Sequence, residues 1–290
     1  DRLLARGDEV MVIDNSATGR RDNLTPQPQL HIIEASITDR AVVMKTMGDF
    51  KPDLVVHAAA AYKDPEDWAT DAAVNVLGTA NVAQAARASG CKRMIYFQTA
   101  LCYGRPSQVP IPIDHPVRPF TSYGISKTAG EQYVAMSGLD YVSLRLANVT
   151  GPRLAIGPIP TFYTRLKGRK SCFCSETVRD FLDMSDFFSL MDLVLEDDAP
   201  TGTYNVSTGR GYPIKDIFDA IVDHLGITLD EPVKVVPPGD DDVPAVVLDP
   251  SETERAFGWN AKVGFEDTIR NMLHWYDVHG VSAIYSHLAA

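Results

Sequence analysis

Short apolar runs alternate with helical patterns along the first half of the chain. The runs are rich in Val, Ile and other side chains that favour strands. They cover residues 9–14, 30–35, 53–57, 93–97 and 141–146. Helices are predicted between them over 38–47, over 68–89, where the apolar period is near 3.6, and from Tyr123 onward. This alternation predicts an α/β protein with a Rossmann-type, doubly wound parallel sheet that has helices on both faces.

The second half of the chain has a looser pattern. Glycines and prolines between Gly151 and Pro160 mark a loop. Asp186 is predicted to cap a helix that runs to 195. The other predicted elements are helices at 161–166, 213–225 and 265–278 and short strands at 173, 181–184 and 203–206. Because no low-complexity linker separates the halves, we expect a smaller α/β lobe packed on the first part of the chain.

The chain begins in the middle of a pattern. Residues 1–7 are typical of the last turns of a helix closed by Gly7, and a strand ending in Asp14 follows. In a dinucleotide-binding fold, a first strand with a Gly-rich phosphate loop should precede them, and the sequence contains no G-x-x-G-x-x-G. We expect that the numbered chain omits an N-terminal piece, because an uncapped helix at residue 1 is an improbable natural beginning. The alternative is a protein that lacks this loop.

Charge and cysteine content narrow the partners and the location. A net charge of −11 argues against general binding of nucleic acid or of an anionic membrane. No apolar run approaches about 18 residues, so no membrane span is predicted. The four cysteines lack zinc-ribbon spacing, and Cys172 and Cys174 are too close for an easy disulfide. We therefore predict no metal site and expect free thiols in a reducing cytoplasm.

The chemistry-bearing stretch runs from the strand at 93–97 to the helix that begins near Tyr123. Tyr123 and Lys127 are four residues apart, so on a helix they lie on one face, one turn from each other. A Lys ammonium beside a phenol favours the phenolate and is expected to lower its pKa. Thr99, at the neighbouring strand end, is placed to share a substrate hydroxyl with that phenolate. Such a set suits proton transfer coupled to hydride transfer.

The spacing of Tyr123 and Lys127 alone is weak evidence for a catalytic pair, but the sequence around it is specific to one family. The string Tyr-Gly-Ile-Ser-Lys follows Thr-Ala-Leu-Cys-Tyr-Gly, which begins at Thr99. Together they resemble the extended short-chain dehydrogenase/reductase family, and within it the branch of NAD-dependent nucleotide-sugar epimerases and dehydratases. The resemblance implies NAD as the cofactor, a nucleotide diphosphate sugar as the substrate and Thr99, Tyr123 and Lys127 as the catalytic residues. In this family Lys127 would also bind the nicotinamide ribose, beside Tyr123.

Two residues at the end of the second strand are expected to select the cofactor. Asp14 stands where an acid hydrogen-bonds the adenosine ribose and repels a 2′-phosphate, which predicts NAD rather than NADP. Asn15 beside it is similar to the family's strand-end loop. Arg20 and Arg21 follow shortly afterwards, and guanidinium groups there would accept a phosphate.

Further cofactor contacts are implied by the resemblance. Ser36 and Ile37 match the place where the family often has an acid and an aliphatic residue against the adenine, so Ser36 departs from the pattern. The small residues Ala58, Ala59 and Ala60 match a segment beside the cofactor, and we expect the preceding His57 to be structural. Asn75 matches an Asn that supports the backbone on the cofactor side, although an ordinary packing role is about equally expected.

The residues after Thr99 separate two reactions. Family 4,6-dehydratases have Asp-Glu at this point, whereas this chain has Ala100 and Leu101, which carry no exchangeable proton. This argues against dehydration and for epimerisation or simple redox chemistry.

The family resemblance implies that two further residues bind the substrate. Asn148 lies in a segment similar to the family's R-x-x-N-x-x-G-P-R, in which the Asn contacts the nucleotide-sugar. Arg179 matches the Arg that grips the diphosphate, a task that suits its two charge-assisted hydrogen bonds. The alternative is a surface Arg paired with Asp180 or Asp183. The family's second phosphate-binding Arg has no counterpart at 237–242, which leaves Arg169 or Lys170 as candidates, or a different substrate.

These observations combine into one expectation. Residues 1–147 are predicted to bind NAD and residues 148–290 mostly to bind substrate, with segments that return to the main sheet. The predicted function is epimerisation of a nucleotide diphosphate sugar through a transient keto-sugar, at sugar carbon 4, by a cytoplasmic homodimer. The alternatives are a net sugar dehydrogenase or reductase and a non-catalytic dinucleotide-sensing protein of the same fold.

Overall fold

The computed structural model describes residues 1–62, 64–239 and 242–281. The chain forms two compact units and passes between them three times. The first unit comprises Asp1–Phe97 and Ser122–Ser143, and the second comprises Gln98–Thr121 and Leu144–Ala290. The functional division at residue 147 stays a prediction.

The first unit alternates strands and helices as predicted. Its last two strands, β4 and β5, continue into the second unit. The elements, in chain order, are α1 (Arg2–Arg6), β1 (Val10–Asp14), a 3₁₀ turn (Arg21–Asn23), β2 (Leu30–Glu34), α2 (Arg40–Phe50), β3 (Leu54–His57), α3 (Trp68–Asp71), a π-helix (Ala72–Gly78), α4 (Thr79–Ser89), β4 (Arg93–Thr99), α5 (Ser122–Met136) and β5 (Asp140–Leu146).

The strands of the first unit pair in parallel. β1 and β2 run side by side from Val10 opposite Leu30 to Asp14 opposite Glu34. β3 and β4 pair from Leu54 opposite Arg93, and β5 lies on the other side of β4. Parallel strands bring their carboxyl ends to one edge of a sheet, and such edges are where ligands bind in open α/β folds. The predicted α/β, Rossmann-type class is confirmed.

The long helix predicted over 68–89 is interrupted. Residues Ala72–Gly78 form a π-helix between α3 and α4, so the prediction of one continuous α-helix was wrong. Asn75, in the middle of the π-helix, and Thr79, four residues on, are both fully buried polar residues. Their hydrogen bonds, described below, favour the wider turn, which an apolar period alone does not indicate.

The second unit contains shorter elements, and its largest apolar core lies among α6, α8 and α10. The elements, in chain order, are a 3₁₀-helix (Ala100–Tyr103), β6 (Asn148–Thr150), α6 (Pro158–Lys167), β7 (Phe173–Ser175), β8 (Val178–Arg179), β9 (Phe181–Asp183), α7 (Met184–Val194), β10 (Gly202–Val206), β11 (Tyr212–Pro213), α8 (Ile214–Leu225), β12 (Lys234–Val236), β13 (Ala245–Val246), α9 (Ser251–Phe257) and α10 (Phe265–His279).

The cap of α7 differs from the prediction. Asp183, not Asp186, is the N-cap, and its carboxylate accepts the Ser185 backbone N–H at 2.8 Å. Asp186 is buried in the first turn, where it accepts the backbone N–H groups of Lys262 and Val263, each at 2.8 Å. Both aspartates precede the same apolar run, so the sequence did not distinguish the cap from the tertiary contact.

Within the described part of the chain, none of the helices combines the length and the apolar character that crossing a membrane requires.

Candidate active site

The first candidate group lies where β1 ends. Asp14 is exposed, and its Oδ1 accepts the Ser16 backbone N–H at 2.7 Å. Asn15 accepts the Ala17 N–H at 3.1 Å, so both side chains fix the turn that leaves the strand. A Cβ on Gly19 would lie 3.3 Å from Asp14 Oδ2, so the loop passes close to the acid. The carboxylate keeps acceptor capacity for hydroxyl groups and thus fits a ribose diol.

The two arginines near Asp14 both have acidic partners. Arg20 forms an ion pair with Asp22, and Arg21 Nη1 lies 3.5 Å from Glu34 Oε2. With Asp14, they line one small cavity. A 2′-phosphate entering this cavity would meet the carboxylates of Asp14 and Glu34 and would compete with existing ion pairs for the guanidinium groups.

The turn after β2 is held by two short networks. Ser36 Oγ lies 2.7 Å from Thr38 Oγ1, so the hydroxyl that replaces the family's acid bonds within its own turn. Ile37 is buried, and its carbonyl accepts Asn81 Nδ2 at 3.1 Å. A Cβ on Gly78 would lie 2.6 Å from Ile37, so the π-helix packs directly on this side chain. Contact of Ser36 and Ile37 with adenine stays a prediction.

Asn75 supports the backbone after β3. Its Oδ1 accepts the Ala61 N–H at 2.8 Å, and its Nδ2 donates to the Ala61 carbonyl at 2.9 Å and to Ser126 Oγ at 3.0 Å. The run Ala58, Ala59 and Ala60 therefore ends at a residue that Asn75 fixes from both sides. The amide also links this turn to α5, which carries Tyr123 and Lys127. The role of the run in binding a cofactor stays a prediction.

Tyr123 and Lys127 lie one turn apart on α5, as predicted. Ser126 Oγ donates to the Tyr123 carbonyl at 3.0 Å, and the Tyr62 ring packs edge-on at 6.3 Å between centroids. Lys127 is only 2% exposed, and its Nζ lies 4.2 Å from the centroid of the Tyr96 ring. The Lys127 ammonium is thus buried against the face of the Tyr96 ring.

The protein surroundings shift the two pKa values. Burial raises the pKa of the Tyr123 phenol, and Tyr62 and Asp71 raise it further. The expectation that Lys127 lowers this pKa was wrong for the surroundings that the protein itself provides, because desolvation dominates. Burial also lowers the pKa of Lys127 to about 7, with Glu131 acting in the opposite direction.

His57 is buried and neutral, and its structural role stays a prediction. Burial lowers the pKa of His57 to about 3, and the nearby Lys127 lowers it too. Its Nε2 lies 2.9 Å from Thr79 Oγ1, and that hydroxyl donates its proton to the Asn75 carbonyl at 2.7 Å. Since a hydroxyl has one proton, His57 must donate from Nε2. The tautomer is therefore fixed by the π-helix.

Thr99 belongs to the second unit. It ends β4 and caps the following 3₁₀-helix, where its Oγ1 accepts the Leu101 N–H at 3.2 Å. Its hydroxyl proton is not used in that bond and remains for another acceptor. At the end of the same 3₁₀-helix, Tyr103 donates to Asn205 Oδ1 at 2.7 Å and accepts from Arg145 at 3.0 Å.

The predicted substrate residues meet around Asp180. The Asp180 carbonyl accepts both the backbone N–H of Asn148, at 3.1 Å, and its Nδ2, at 3.0 Å. The Asp180 side chain is buried and accepts the hydroxyl of Thr208 at 2.7 Å, and burial raises its pKa to about 6. Asn148 is therefore held by the backbone of the residue that follows Arg179 in the chain.

Arg179 forms an ion pair, but with neither of the two aspartates that the alternative named. Its Nη2 lies 2.5 Å from Asp242 Oδ1, and its Nη1 donates to the Val178 carbonyl at 2.8 Å. The alternative partners Asp180 and Asp183 face Thr208 and Ser185 instead. The pairing follows from register, since β13 lies beside β8 and places Asp242 just before it. Within the segment 237–242, residues 240 and 241 lie outside the described residues.

Several residues near the predicted site residues were not predicted from the sequence. Asp71 precedes Asn75 by four residues on a helix, a spacing that would have pointed to it. Asp71 is buried, hydrogen-bonds Ser122 and adds negative charge near Tyr123. Tyr62, Tyr96 and Asp242 come from a loop, a strand interior and an acidic run, where no spacing marks them.

The site combines three features: an acid at a strand end, a Tyr–Lys pair on one helix face, and small residues after a parallel strand. Together they define a dinucleotide-dependent site for chemistry at a hydroxyl-bearing carbon. The donor set fits NAD, with Asp14 for a ribose and Lys127 as a buried cation. The model of the NAD dependent epimerase/dehydratase family matches residues 1–207. The chain belongs to that family, and the predicted family and NAD dependence are confirmed.

Known proteins resemble the chain over nearly its full length. The Bordetella bronchiseptica enzyme WbmG, solved in complex with NAD and UDP, is 63% identical with a TM-score of 0.95, over 100% of this chain and 93% of that one. A Thermotoga maritima UDP-glucose 4-epimerase with UDP-glucose is 26% identical with a TM-score of 0.86, over 96% and 94%. A UDP-glucose 4-epimerase of Mycolicibacterium smegmatis is 30% identical, over 95% and 93%.

The cofactor preference provides a test of Asp14. NAD should bind at least about tenfold more tightly than NADP, since a like-charge contact with the 2′-phosphate costs at least about 1.4 kcal/mol. Asp14→Asn removes the charge, so it should weaken the discrimination while keeping a hydrogen-bonding side chain. Calorimetric titration with both cofactors measures the ratio. Equal affinities in the unaltered protein would show that Arg20 or Arg21 outweighs the acid.

Proposed function

We propose that this protein epimerises a nucleotide diphosphate sugar with bound NAD, through a transient keto-sugar, at sugar carbon 4. The observation that carries the proposal is the placement of Tyr123 and Lys127 one turn apart on the inner face of α5, with Lys127 almost fully buried. Membership of the NAD dependent epimerase/dehydratase family supports it. So do relatives named UDP-glucose 4-epimerase and a neighbour solved with NAD and UDP.

Tyr123 takes the proton in the proposed reaction. Bound NAD would supply a hydride acceptor for the sugar carbon, and the same hydride would return to the opposite face of that carbon. As that hydride leaves, Tyr123 accepts the proton of the hydroxyl on the same carbon, and it returns the proton when the ketone is reduced. Proton and hydride are both restored, so the net change is stereochemical. Thr99 hydrogen-bonds the reacting hydroxyl, and Lys127 holds the nicotinamide ribose.

The residues after Thr99 limit the reaction to oxidation of the sugar and return of the hydride, without loss of water. Elimination of water needs an acid or base beside the reacting carbon. Ala100 and Leu101 occupy the first positions of the 3₁₀-helix after Thr99, and neither exchanges a proton. The proposal therefore assigns epimerisation rather than dehydration to this site.

Asn148 and Arg179 bind the nucleotide-sugar in this proposal. Arg179 lies on β8, partly buried and already paired with the carboxylate of Asp242. A diphosphate oxygen offers the same charge-assisted acceptor in the same place. Arg169 and Lys170 are exposed and remain candidates for a second phosphate contact.

We also propose a cytoplasmic homodimer. On α5, Ile125, Tyr133 and Met136 recur at helical spacing and are 51%, 42% and 72% exposed. Leu77, on the π-helix that packs against α5, is 53% exposed. A second copy would cover this apolar surface. Sedimentation velocity should find a dimer that Met136→Glu weakens, and a monomer at micromolar concentration would contradict the proposal.

The four free cysteines favour a reducing compartment, which cell fractionation tests.

Tyr123 provides the decisive test of the reaction. Tyr123→Phe removes only the oxygen, so it should keep the fold and NAD binding while turnover falls by at least about 10²-fold. Thr99→Val should cost less than Tyr123→Phe, and Thr99→Ser should cost least because it keeps a hydroxyl. Turnover is measured on a panel of nucleotide-sugars by following the sugar stereochemistry.

The same panel separates the alternatives. Net release of NADH with an oxidised sugar would indicate a dehydrogenase. NAD binding with no conversion of any sugar would favour a sensing protein. Near-normal turnover of Tyr123→Phe on a confirmed substrate would exclude Tyr123 as the base.

Arg179 can be tested by binding alone. Arg179→Ala should weaken UDP binding by roughly 1.5–3 kcal/mol, the range for hydrogen bonds to charged groups, and should leave NAD binding nearly unchanged. Lys215→Ala is a matched control, because Lys215 is an exposed cation paired with Asp219. Calorimetry that shows unaltered UDP affinity in Arg179→Ala would remove Arg179 from the proposed site.

A further inference from the structure

Lys127 carries a charge in a position where charge is costly. Its side chain is 2% exposed, and burial lowers the pKa of its ammonium. A buried ammonium is stable where polar groups or aromatic faces take the place of water. Tyr96, in the interior of β4 and outside every motif of the site, provides such a face.

Tyr96 contacts Lys127 at two points. The Lys127 Nζ lies 4.2 Å from the centroid of the Tyr96 ring, within the range of a cation–π interaction. The Tyr96 hydroxyl donates to the Lys127 backbone carbonyl at 2.9 Å. One side chain therefore holds both the turn of α5 that carries Lys127 and the far end of its side chain.

Tyr96 is itself fixed by its surroundings. It is 0% exposed, on a strand with β3 and β5 on either side. A Cβ on Gly130 would lie 2.5 Å from the Tyr96 hydroxyl, so a glycine at this position lets the hydroxyl reach α5. The His57 ring lies 5.6 Å from the Tyr96 ring and is neutral, so it adds no second cation beside Lys127.

We propose that Tyr96 is a positioning residue for Lys127. Its ring face holds the ammonium and its hydroxyl holds the helix turn, so that Lys127 keeps the direction from which it binds NAD. The proposal rests on the role in NAD binding given to Lys127 above. Tyr96 acts only through Lys127 and donates nothing to the substrate.

The proposal predicts how NAD affinity depends on pH. The titratable groups around the Lys127 ammonium are Glu131 and Tyr123 on α5, His57 on β3 and Tyr96 on β4. Glu131 favours the ammonium, and neutral His57 adds no charge. NAD affinity should fall as pH rises through the pKa of Lys127, about 7. Losing the aromatic face removes support for the cation, so the midpoint should move to lower pH.

Three replacements at position 96 separate the ring face from the hydroxyl. Tyr96→Phe keeps the face, so NAD affinity should fall by no more than about threefold and the pH midpoint should stay. Tyr96→Leu removes the face, so affinity at pH 7 should fall about tenfold and the midpoint should move down. Pentafluorophenylalanine at position 96 has nearly the shape of Phe but an electron-poor face, so it should behave like Tyr96→Leu. Calorimetric NAD titration between pH 6 and pH 9 measures all three.

A second background shows whether the effect passes through Lys127. In Lys127→Met, the further change Tyr96→Leu should leave the remaining NAD affinity unchanged, because coupled residues are not additive. An additive loss in that background would overturn the proposal. So would a common pH midpoint for the Phe, Leu and pentafluorophenylalanine proteins.

Separate controls distinguish a loss of NAD binding from a loss of folding and from a failure of the proposed epimerase activity. Circular dichroism and thermal unfolding show which variants are folded, and if Tyr96→Leu is not, the nearly isosteric Phe and pentafluorophenylalanine pair decides alone. NAD titration needs no sugar, so a protein that fails to epimerise still tests Tyr96. If Lys127→Met binds NAD normally, the role of Lys127 fails. If the Tyr96 variants keep the NAD affinity and the pH midpoint of the unaltered protein, only the positioning role of Tyr96 fails.

Discussion

The ammonium of Lys127 lies where water does not reach, and the residues packed around it are limited by that charge. Tyr96 offers an aromatic face, Glu131 offers a negative charge, and His57 stays neutral. Gly130 leaves room for the Tyr96 hydroxyl against the helix. An uncompensated buried charge costs several kcal/mol, a large share of the stability of a folded domain. The strands and helices of the first unit therefore support a cation at one defined point.

The second unit also contains a buried ionisable group, the carboxylate of Asp180, that polar neighbours support. Asp180 is fully buried, and the loop at Thr208 supplies donors to its side chain, while its carbonyl holds Asn148. The neighbouring Arg179 is paired with Asp242 from a distant part of the chain. In both units, a side chain of the candidate site is oriented by neighbouring groups that have no proposed part in the reaction. Such support is what holds a site within the narrow geometry that catalysis needs.

The sequence predicted the strands of the first unit, the α/β class and the joint placement of Tyr123 and Lys127, because these depend on local period and spacing. The Asp183 cap and the π-helix were missed, because an Asp before an apolar run suits either position, and a period near 3.6 does not reveal one widened turn. Tyr96 and Asp242 were missed because their partners are distant in sequence. The direction of the Tyr123 pKa shift was missed because it depends on burial, which spacing alone does not specify.

The π-helix at Ala72–Gly78 has a consequence for how insertions and deletions are tolerated. Each residue of an α-helix turns the chain by about 100°, and a π-turn holds one more residue than an α-turn. Deleting one residue here would let α3 and α4 join as a regular α-helix, but it would rotate Asn75 away from Ala61 or Thr79 away from His57. The length of this segment is therefore tied to the contacts of Asn75 and Thr79, in addition to the chemical identity of its residues.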